Sequence, residues 1–176
     1  MRTLVALLVV GVVAGPESGP QVGERMPGPF EPLHLTGPDA GEESCLFCKF
    51  GNDPVVMIFA RTQSDGLAKL IAATEKAADK HKDASLGTAV VYLDTSDPLK
   101  KAAKKLADDA KLKLTVLSCI PPKDLAEYKI AADADVTVLL YDKRTVRANH
   151  SFKKGELTEK TVEKVLADLP KVLAAK

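Results

Sequence analysis

Short apolar runs separated by amphipathic stretches dominate the chain from residue 54 onward. Four runs are apolar or nearly so at every position, a pattern typical of strands buried on both faces of a sheet. These runs lie at residues 54–60, 89–93, 114–117 and 136–141. Apolar residues between them recur at helical spacing, so the pattern predicts strands joined by amphipathic helices.

Three local signals place the helices between these strands. Leucine, isoleucine and alanine recur every three or four positions in residues 65–82, which predicts a helix there. Asp97 before Pro98 predicts a second helix start, with the carboxylate as the cap and proline in the first turn. Pro121 followed by Pro122 opens a shorter helix.

The end of the chain predicts a hairpin and a covering helix. Residues 142–144 form a turn after the fourth run, and residues 145–152 return antiparallel. Thr158 caps the last helix, whose entry is fixed by an apolar contact between Leu157 and Val162. Pro170 interrupts the apolar face of this helix, which predicts a kink or an early end.

The order of elements predicts an α/β fold. Strands joined by helices are parallel, whereas the terminal hairpin adds antiparallel strands to the same sheet. A mixed central sheet with helices on both faces, a three-layer α/β/α arrangement, is the natural packing.

The chain divides into three segments by composition. Residues 1–14 contain a positively charged Arg2, an apolar core and small residues at a possible cleavage site, so they are predicted to be a signal peptide. Residues 15–43 are rich in glycine and proline and form a predicted N-terminal arm. Residues 44–176 are the size of one domain. We therefore expect an exported protein, periplasmic or extracellular, without a membrane span.

Charge and motifs limit the functional classes. The chain has 25 lysines plus arginines against 24 acidic residues, so no basic excess is available to bind nucleic acid or an anionic membrane. It lacks a Gly-rich phosphate loop and paired catalytic carboxylates, and we predict no cofactor. A protein partner is possible, but the sequence specifies neither that partner nor the oligomeric state.

Cys45 and Cys48 form the only Cys-x-x-Cys motif among the three cysteines of the chain. Such a pair is either a redox couple, aided by Lys49, or a local structural disulfide. Cys119 has apolar neighbours and is predicted to be a buried, inert thiol.

Metal binding is a third interpretation of the cysteines. A zinc site needs four ligands, and these would have to be the three cysteines plus one of His34, His81 and His150. The histidines lack ligand spacing relative to the cysteines and are predicted to face solvent. We therefore predict no metal site.

The arm and the element order resemble the thioredoxin-like superfamily, specifically its peroxiredoxin and exported thiol–disulfide branch. Members of that branch begin with a Gly-x-x-x-Pro-x-Phe arm, which Gly23, Pro27 and Phe30 match with one extra residue before the phenylalanine. Residues 33–35 and a glycine-containing turn follow, as an added N-terminal hairpin requires. The resemblance covers roughly residues 22–173 and implies the thioredoxin-like fold.

Two positions depart from the family pattern. The redox cysteine of the family follows the first core strand, which corresponds here to residues 61–67, and this stretch has no cysteine. The family cis-proline corresponds to Asp135 or Val136, and neither is proline. The Cys45–Cys48 pair precedes the strand, so we expect it near the amino end of the sheet, away from the usual cleft.

These departures favour a non-catalytic binding or structural module that reuses the fold. The alternative is a thiol–disulfide oxidoreductase in which Cys45 attacks and Cys48 resolves the mixed disulfide. The sequence leaves open whether the protein is an enzyme.

Overall fold

A six-stranded mixed sheet forms the centre of the computed structural model, which describes residues 16–173. The predicted signal peptide, residues 1–14, lies outside the described residues. The strands are β1 (Leu33–His34), β2 (Val55–Ala60), β3 (Gly87–Tyr92), β4 (Val116–Cys119), β5 (Val136–Asp142) and β6 (Thr145–Phe152). The helices are α1 (Leu46–Phe50), α2 (Asp65–Lys80), α3 (Asp97–Asp109), α4 (Glu159–Ala167) and α5 (Pro170–Leu173), with 3-10 segments at Lys82–Ala84 and Pro122–Tyr128.

The strands follow the order β1-β4-β3-β2-β5-β6 across the sheet. β2, β3 and β4 are parallel, because amphipathic helices connect them, whereas β1 and β5 run antiparallel to their neighbours. β5 and β6 form the predicted terminal hairpin. The predicted α/β fold with a mixed central sheet is therefore confirmed.

Two apolar layers cover the two faces of the sheet. The long helices α2, α3 and α4 pack on one face through their leucine, valine and alanine stripes. Helix α1, the 3-10 segment 122–128 and the N-terminal arm cover the other face. The arm is therefore part of the core: Phe30 packs edge-on against Tyr128 with 5.1 Å between ring centres.

The strand predicted at residues 114–117 begins two residues later, at Val116. The reason is a side chain on α2. The Glu75 carboxylate accepts hydrogen bonds from the backbone amides of Lys113, Leu114 and Thr115 at 2.8–3.2 Å. Because these amides donate to a carboxylate instead of to a neighbouring strand, the regular hydrogen bonding of β4 with the sheet starts after them.

The predicted helix ends differ from the structure at α2, which ends at Lys80 rather than at residue 82, and at α3. Ser96 occupies the cap position of α3, so Asp97 is its first residue and the predicted cap was wrong by one position. Thr158 caps α4, as predicted, in a reciprocal pair with Thr161. α4 ends before Pro170, which starts the short helix α5, so the predicted interruption is confirmed.

Candidate functional site

A short helix carries the Cys-x-x-Cys motif. Cys45 is the cap residue of α1, and its sulfur accepts a hydrogen bond of 3.0 Å from the Cys48 amide. Gly51 ends the helix with a φ of 55°, a conformation that glycine adopts without strain. Leu46 anchors the helix, because its side chain is fully buried on the arm-covered face of the sheet. Sequence periodicity missed α1, since five residues are too few to show a helical repeat.

Cys45 and Cys48 form a disulfide with their Cα atoms 5.2 Å apart, as the spacing of the motif predicts. The two residues differ in their access to solvent: Cys45 is half-buried and Cys48 is exposed. An external thiol or thiolate therefore reaches Cys48 first.

Helix α1 runs from the β1 edge towards the amino ends of the parallel strands. Its last residue, Phe50, packs against Gly87, the first residue of β3. The Arg144 guanidinium, from the hairpin turn at this same end, lies 4.5 Å from the ring centre of Phe47 and donates to the Gly51 carbonyl. These contacts place the end of α1, after Cys48, at the amino ends of β2 and β3, whereas Glu43 and Ser44, just before Cys45, lie beside β1.

His34 lies beside the start of α1, and the prediction that it faces solvent is wrong. Strand alternation explains its burial: Leu33 and Leu35 pack with the face of the long helices, so His34 points to the opposite, arm-covered face. It is 1% exposed. Its Nε2 lies 3.2 Å from the carbonyl oxygen and 3.1 Å from Oγ of Ser44, the residue before Cys45.

A carboxylate links His34 to α1. Oδ2 of Asp39 lies 3.8 Å from Nδ1 of His34 and 3.0 Å from Nζ of Lys49. Lys49 therefore has an acidic partner beside the motif. Burial lowers the pKa of His34, and the Lys49 charge adds to this, while the Ser44 hydrogen bond and Asp39 oppose it. The net shift is downward, so His34 is neutral near pH 7.

The other two histidines, in contrast to His34, are partly exposed to solvent. His150 is half-buried, and its Nε2 lies 2.9 Å from the carboxylate of Asp168. His81 is half-buried at the end of α2. Within residues 16–173, no group of three histidine, cysteine or acidic side chains is arranged to hold a metal ion.

Arg61 is the first residue of the stretch, residues 61–67, in which the family pattern expects a redox cysteine. Its guanidinium donates to the carbonyl oxygens of Ile130, Ala131 and Ala134 at 3.0–3.4 Å. The next residue, Thr62, donates to Asp135 at 2.8 Å. The carboxyl end of β2 is thus joined to the loop before β5 by hydrogen bonds.

Cys119 ends β4 and is one of the residues that line a cavity of about 580 Å³. It is a free thiol and 1% exposed, as predicted. Burial raises its pKa, which disfavours the reactive thiolate. The cavity wall includes Glu43, two residues before Cys45, and Lys100 of α3.

Between residues 16 and 173, the helices are too short or too polar to cross a bilayer.

Comparison with known proteins gives structural matches only. No family model matches the sequence, and no curated protein matches it. Solved structures, in contrast, match at probability 1.00.

Three of these structures illustrate the match. Peroxidoxin BcpB from Mycobacterium tuberculosis has a TM-score of 0.60 and 15% identity, covering 90% of this chain and 97% of that one. The thioredoxin domain of a thiol-disulfide oxidoreductase from Bacteroides vulgatus has a TM-score of 0.57 and 18% identity, covering 82% and 96%. A structure proposed as the thiol:disulfide interchange protein DsbE of Chlorobium tepidum has a TM-score of 0.58 and 16% identity, covering 87% and 98%. Likeness at such identities establishes a shared fold rather than a shared activity.

Proposed function

We propose that this thioredoxin-like protein is an exported thiol–disulfide exchange protein whose reactive pair is Cys45 and Cys48. One observation carries the proposal: the pair forms a disulfide in which Cys48 is exposed and Cys45 is half-buried at a helix start. Exchange needs one sulfur that a substrate can reach and a second that can leave and return. Thiol–disulfide proteins among the structural matches support the same chemistry.

The exchange step follows from this difference in exposure. A substrate thiolate attacks Sγ of Cys48, the Cys45–Cys48 bond breaks, and Cys45 leaves as a thiolate. Attack of a second substrate thiolate on the mixed disulfide then releases Cys48. The substrate pair loses two electrons and becomes a disulfide, while Cys45 and Cys48 gain them and become a dithiol.

A backbone hydrogen bond favours this order of events. The Cys48 amide donates to the Cys45 sulfur at 3.0 Å, and a donor in this position stabilises a negative charge on the leaving sulfur. In the reverse direction, the exposed Cys48 first loses its proton to solvent and attacks a substrate disulfide as a thiolate, and Cys45 then resolves the mixed disulfide. The sequence alone favoured the opposite assignment, because Cys45 comes first in the motif.

Turnover tests the exchange activity. The protein should catalyse insulin reduction by dithiothreitol, and Cys45→Ser and Cys48→Ser should each abolish the catalysed rate. Cys119→Ala is the matched control, because this thiol is buried away from solvent. Equal rates for the wild type and both serine variants would contradict the proposal.

Trapping distinguishes the roles of the two cysteines. In Cys45→Ser, a mixed disulfide between Cys48 and a substrate has no resolving thiol, so it should accumulate on non-reducing gels. In Cys48→Ser, the half-buried Cys45 should trap little. The reverse pattern would restore Cys45 as the attacking residue.

A non-catalytic binding or structural module is the second candidate function. The observation that favours it is the lack of a cysteine in residues 61–67, the stretch that corresponds to the usual cysteine position, where Arg61 instead donates hydrogen bonds to three backbone carbonyls. The reduction potential of the Cys45–Cys48 pair discriminates the two functions. A value below about −300 mV marks a structural disulfide, whereas a more oxidising value supports exchange.

Export is the remaining part of the proposal. It rests on the charged and apolar pattern of residues 1–14 and on a disulfide, which persists in oxidising compartments. The mass of the protein recovered from the exporting host should correspond to a chain cleaved near residue 14. A full-length chain retained in the cytoplasm would contradict export.

A further inference from the structure

The burial of His34 is unusual for a side chain with a free ring nitrogen. Its side chain is 0% exposed, and Nδ1 has no hydrogen-bond partner within the described residues. Burying an unpaired polar atom is unfavourable, so such a group calls for an explanation. The backbone amide of His34 is satisfied, because it donates to the Glu42 carbonyl at 2.9 Å.

The other ring nitrogen of His34 holds the residue next to the disulfide. A protonated Nε2 donates to the Ser44 carbonyl oxygen, which lies 3.2 Å away. This tautomer leaves Nδ1 with a bare lone pair directed towards the Asp39 carboxylate, 3.8 Å away. While Nδ1 is unprotonated, its lone pair and the Asp39 carboxylate are two hydrogen-bond acceptors that face each other. Protonation of Nδ1 turns this contact into an ion pair.

Asp39 lies between His34 and the motif. Its Oδ2 is shared between the imidazole and the ammonium group of Lys49, which directly follows Cys48. The charged side chains that face His34 are therefore Asp39, from the turn after β1, and Lys49, from α1. Ser118, the residue opposite His34 on β4, is neutral.

We propose that His34 is a positioning residue that takes up a proton when the Cys45–Cys48 disulfide is reduced and thereby stabilises the Cys45 thiolate. This inference rests on the proposed exchange function. His34 acts through Ser44 and Asp39 and need not touch the substrate.

The step balances with an external dithiol as the reductant. The dithiol loses two electrons and two protons and becomes a disulfide, while the Cys45–Cys48 bond takes up the two electrons and breaks. One proton goes to the Cys48 sulfur and the other to Nδ1 of His34. Cys45 stays a thiolate and accepts a hydrogen bond from the Cys48 amide. The protonated imidazole of His34 forms an ion pair with Asp39.

His34→Gln tests the coupling while keeping a donor for Ser44, because the glutamine amide reaches about as far as Nε2 but does not titrate. The redox equilibrium with dithiothreitol is measured between about pH 5 and pH 8, where histidine titrates. If reduction raises the pKa of His34 by about one unit, its loss should lower the equilibrium constant for reduction by about tenfold at the acidic end of this range and leave it nearly unchanged at the alkaline end. The ultraviolet absorbance of the Cys45 thiolate should also appear at higher pH than in the wild type.

His150→Gln is the matched control, because this histidine pairs with Asp168 on α4's side of the structure rather than with α1. It should leave both readouts unchanged. Identical equilibrium constants and thiolate titrations for the wild type and His34→Gln would overturn the proposal.

A measurement on the wild type covers the case in which His34→Gln does not fold. Linkage requires that reduction raise the pKa of His34 if the protonation of His34 favours reduction. Imidazole resonances followed by NMR should therefore titrate at higher pH in the reduced protein than in the oxidised protein. An unchanged His34 pKa would overturn the proposal.

These measurements separate this inference from the exchange function, because they use no protein substrate. A protein with coupled His34 titration but without insulin turnover would refute only the exchange function. A protein with turnover but without coupling would refute only the role of His34.

Discussion

The ring of Phe50 lies directly over Gly87, so the last residue of α1 is packed onto the first residue of β3. A Cβ at Gly87 would overlap this ring, since even the ring Cγ would be only 3.1 Å away. The contact fixes the end of the helix that carries the Cys-x-x-Cys motif to the sheet.

Gly87→Ala should therefore destabilise the fold by about 1–3 kcal/mol, the usual range for overpacking a closely packed contact. The cost arises because the Phe50 ring must move away from β3. Urea unfolding measured under oxidising conditions checks the free energy of unfolding.

Phe50→Leu provides the control, because it removes the ring that the added methyl meets. In this background, Gly87→Ala should cost less than in the wild type, as a double-mutant cycle measures. Equal costs in both backgrounds would show that Phe50 is not the neighbour that limits residue 87.

Glu75→Gln should lower stability in a pH-dependent manner. Burial alone would raise the pKa of Glu75, but the amides of Lys113, Thr115 and Leu114 lower it below its ordinary value of 4.5. A lowered folded pKa means that the carboxylate stabilises the fold above the unfolded pKa, and this stabilisation is lost as the pH falls through the folded pKa. The loss in the variant should be about 1 kcal/mol at pH 7, because the site is partly exposed.

Unfolding by urea at pH 7 and at about pH 3 measures this difference. The wild type and Glu75→Gln should converge at the lower pH. Glu163→Gln, at an exposed position of α4, is the control and should change stability little at either pH. A constant deficit of Glu75→Gln at both pH values would refute the role of the carboxylate charge.

The core strands and their order along the chain were predictable because their signals are local. The apolar runs predicted the bounds of β2, β3 and β5 to within two residues. The turn predicted at residues 142–144 indicated the hairpin of β5 and β6. The start of β4 was misplaced because Glu75 lies about 40 positions away in the sequence. No local pattern shows that a distant carboxylate binds the amides before a strand.

The candidate site was predictable only as a pair of cysteines. Their spacing gave the disulfide, but helix α1 is too short to show a period. His34 was assigned to the solvent because it lies in a segment rich in glycine and proline. Its burial follows from strand alternation in β1, which is a two-residue strand paired with β4. A strand this short is stabilised by tertiary pairing rather than by its own pattern.

Arg61→Ala should cost about 2 kcal/mol, because it leaves the carbonyl oxygens of Ile130, Ala131 and Ala134 without their charged donor. Arg61→Lys is the informative comparison. A lysine keeps the charge but lacks the planar fork, so it should recover only part of the loss. Thermal unfolding measures both variants, and full recovery by lysine would show that charge alone stabilises the loop before β5.

The three thiols of the reduced protein should differ in their reactivity. After reduction, Cys48 is exposed and should react with a thiol reagent such as DTNB first, followed by the half-buried Cys45. Cys119 should react only after denaturation, because its side chain is buried and burial raises its pKa. Counting the thiols that react before and after addition of guanidinium checks this order, with Cys119→Ala as the control that loses only the late thiol. A Cys119 that reacts as fast as Cys48 in the native protein would mean that the cavity beside β4 admits the reagent, and the distinction between reactive and inert thiols would then fail.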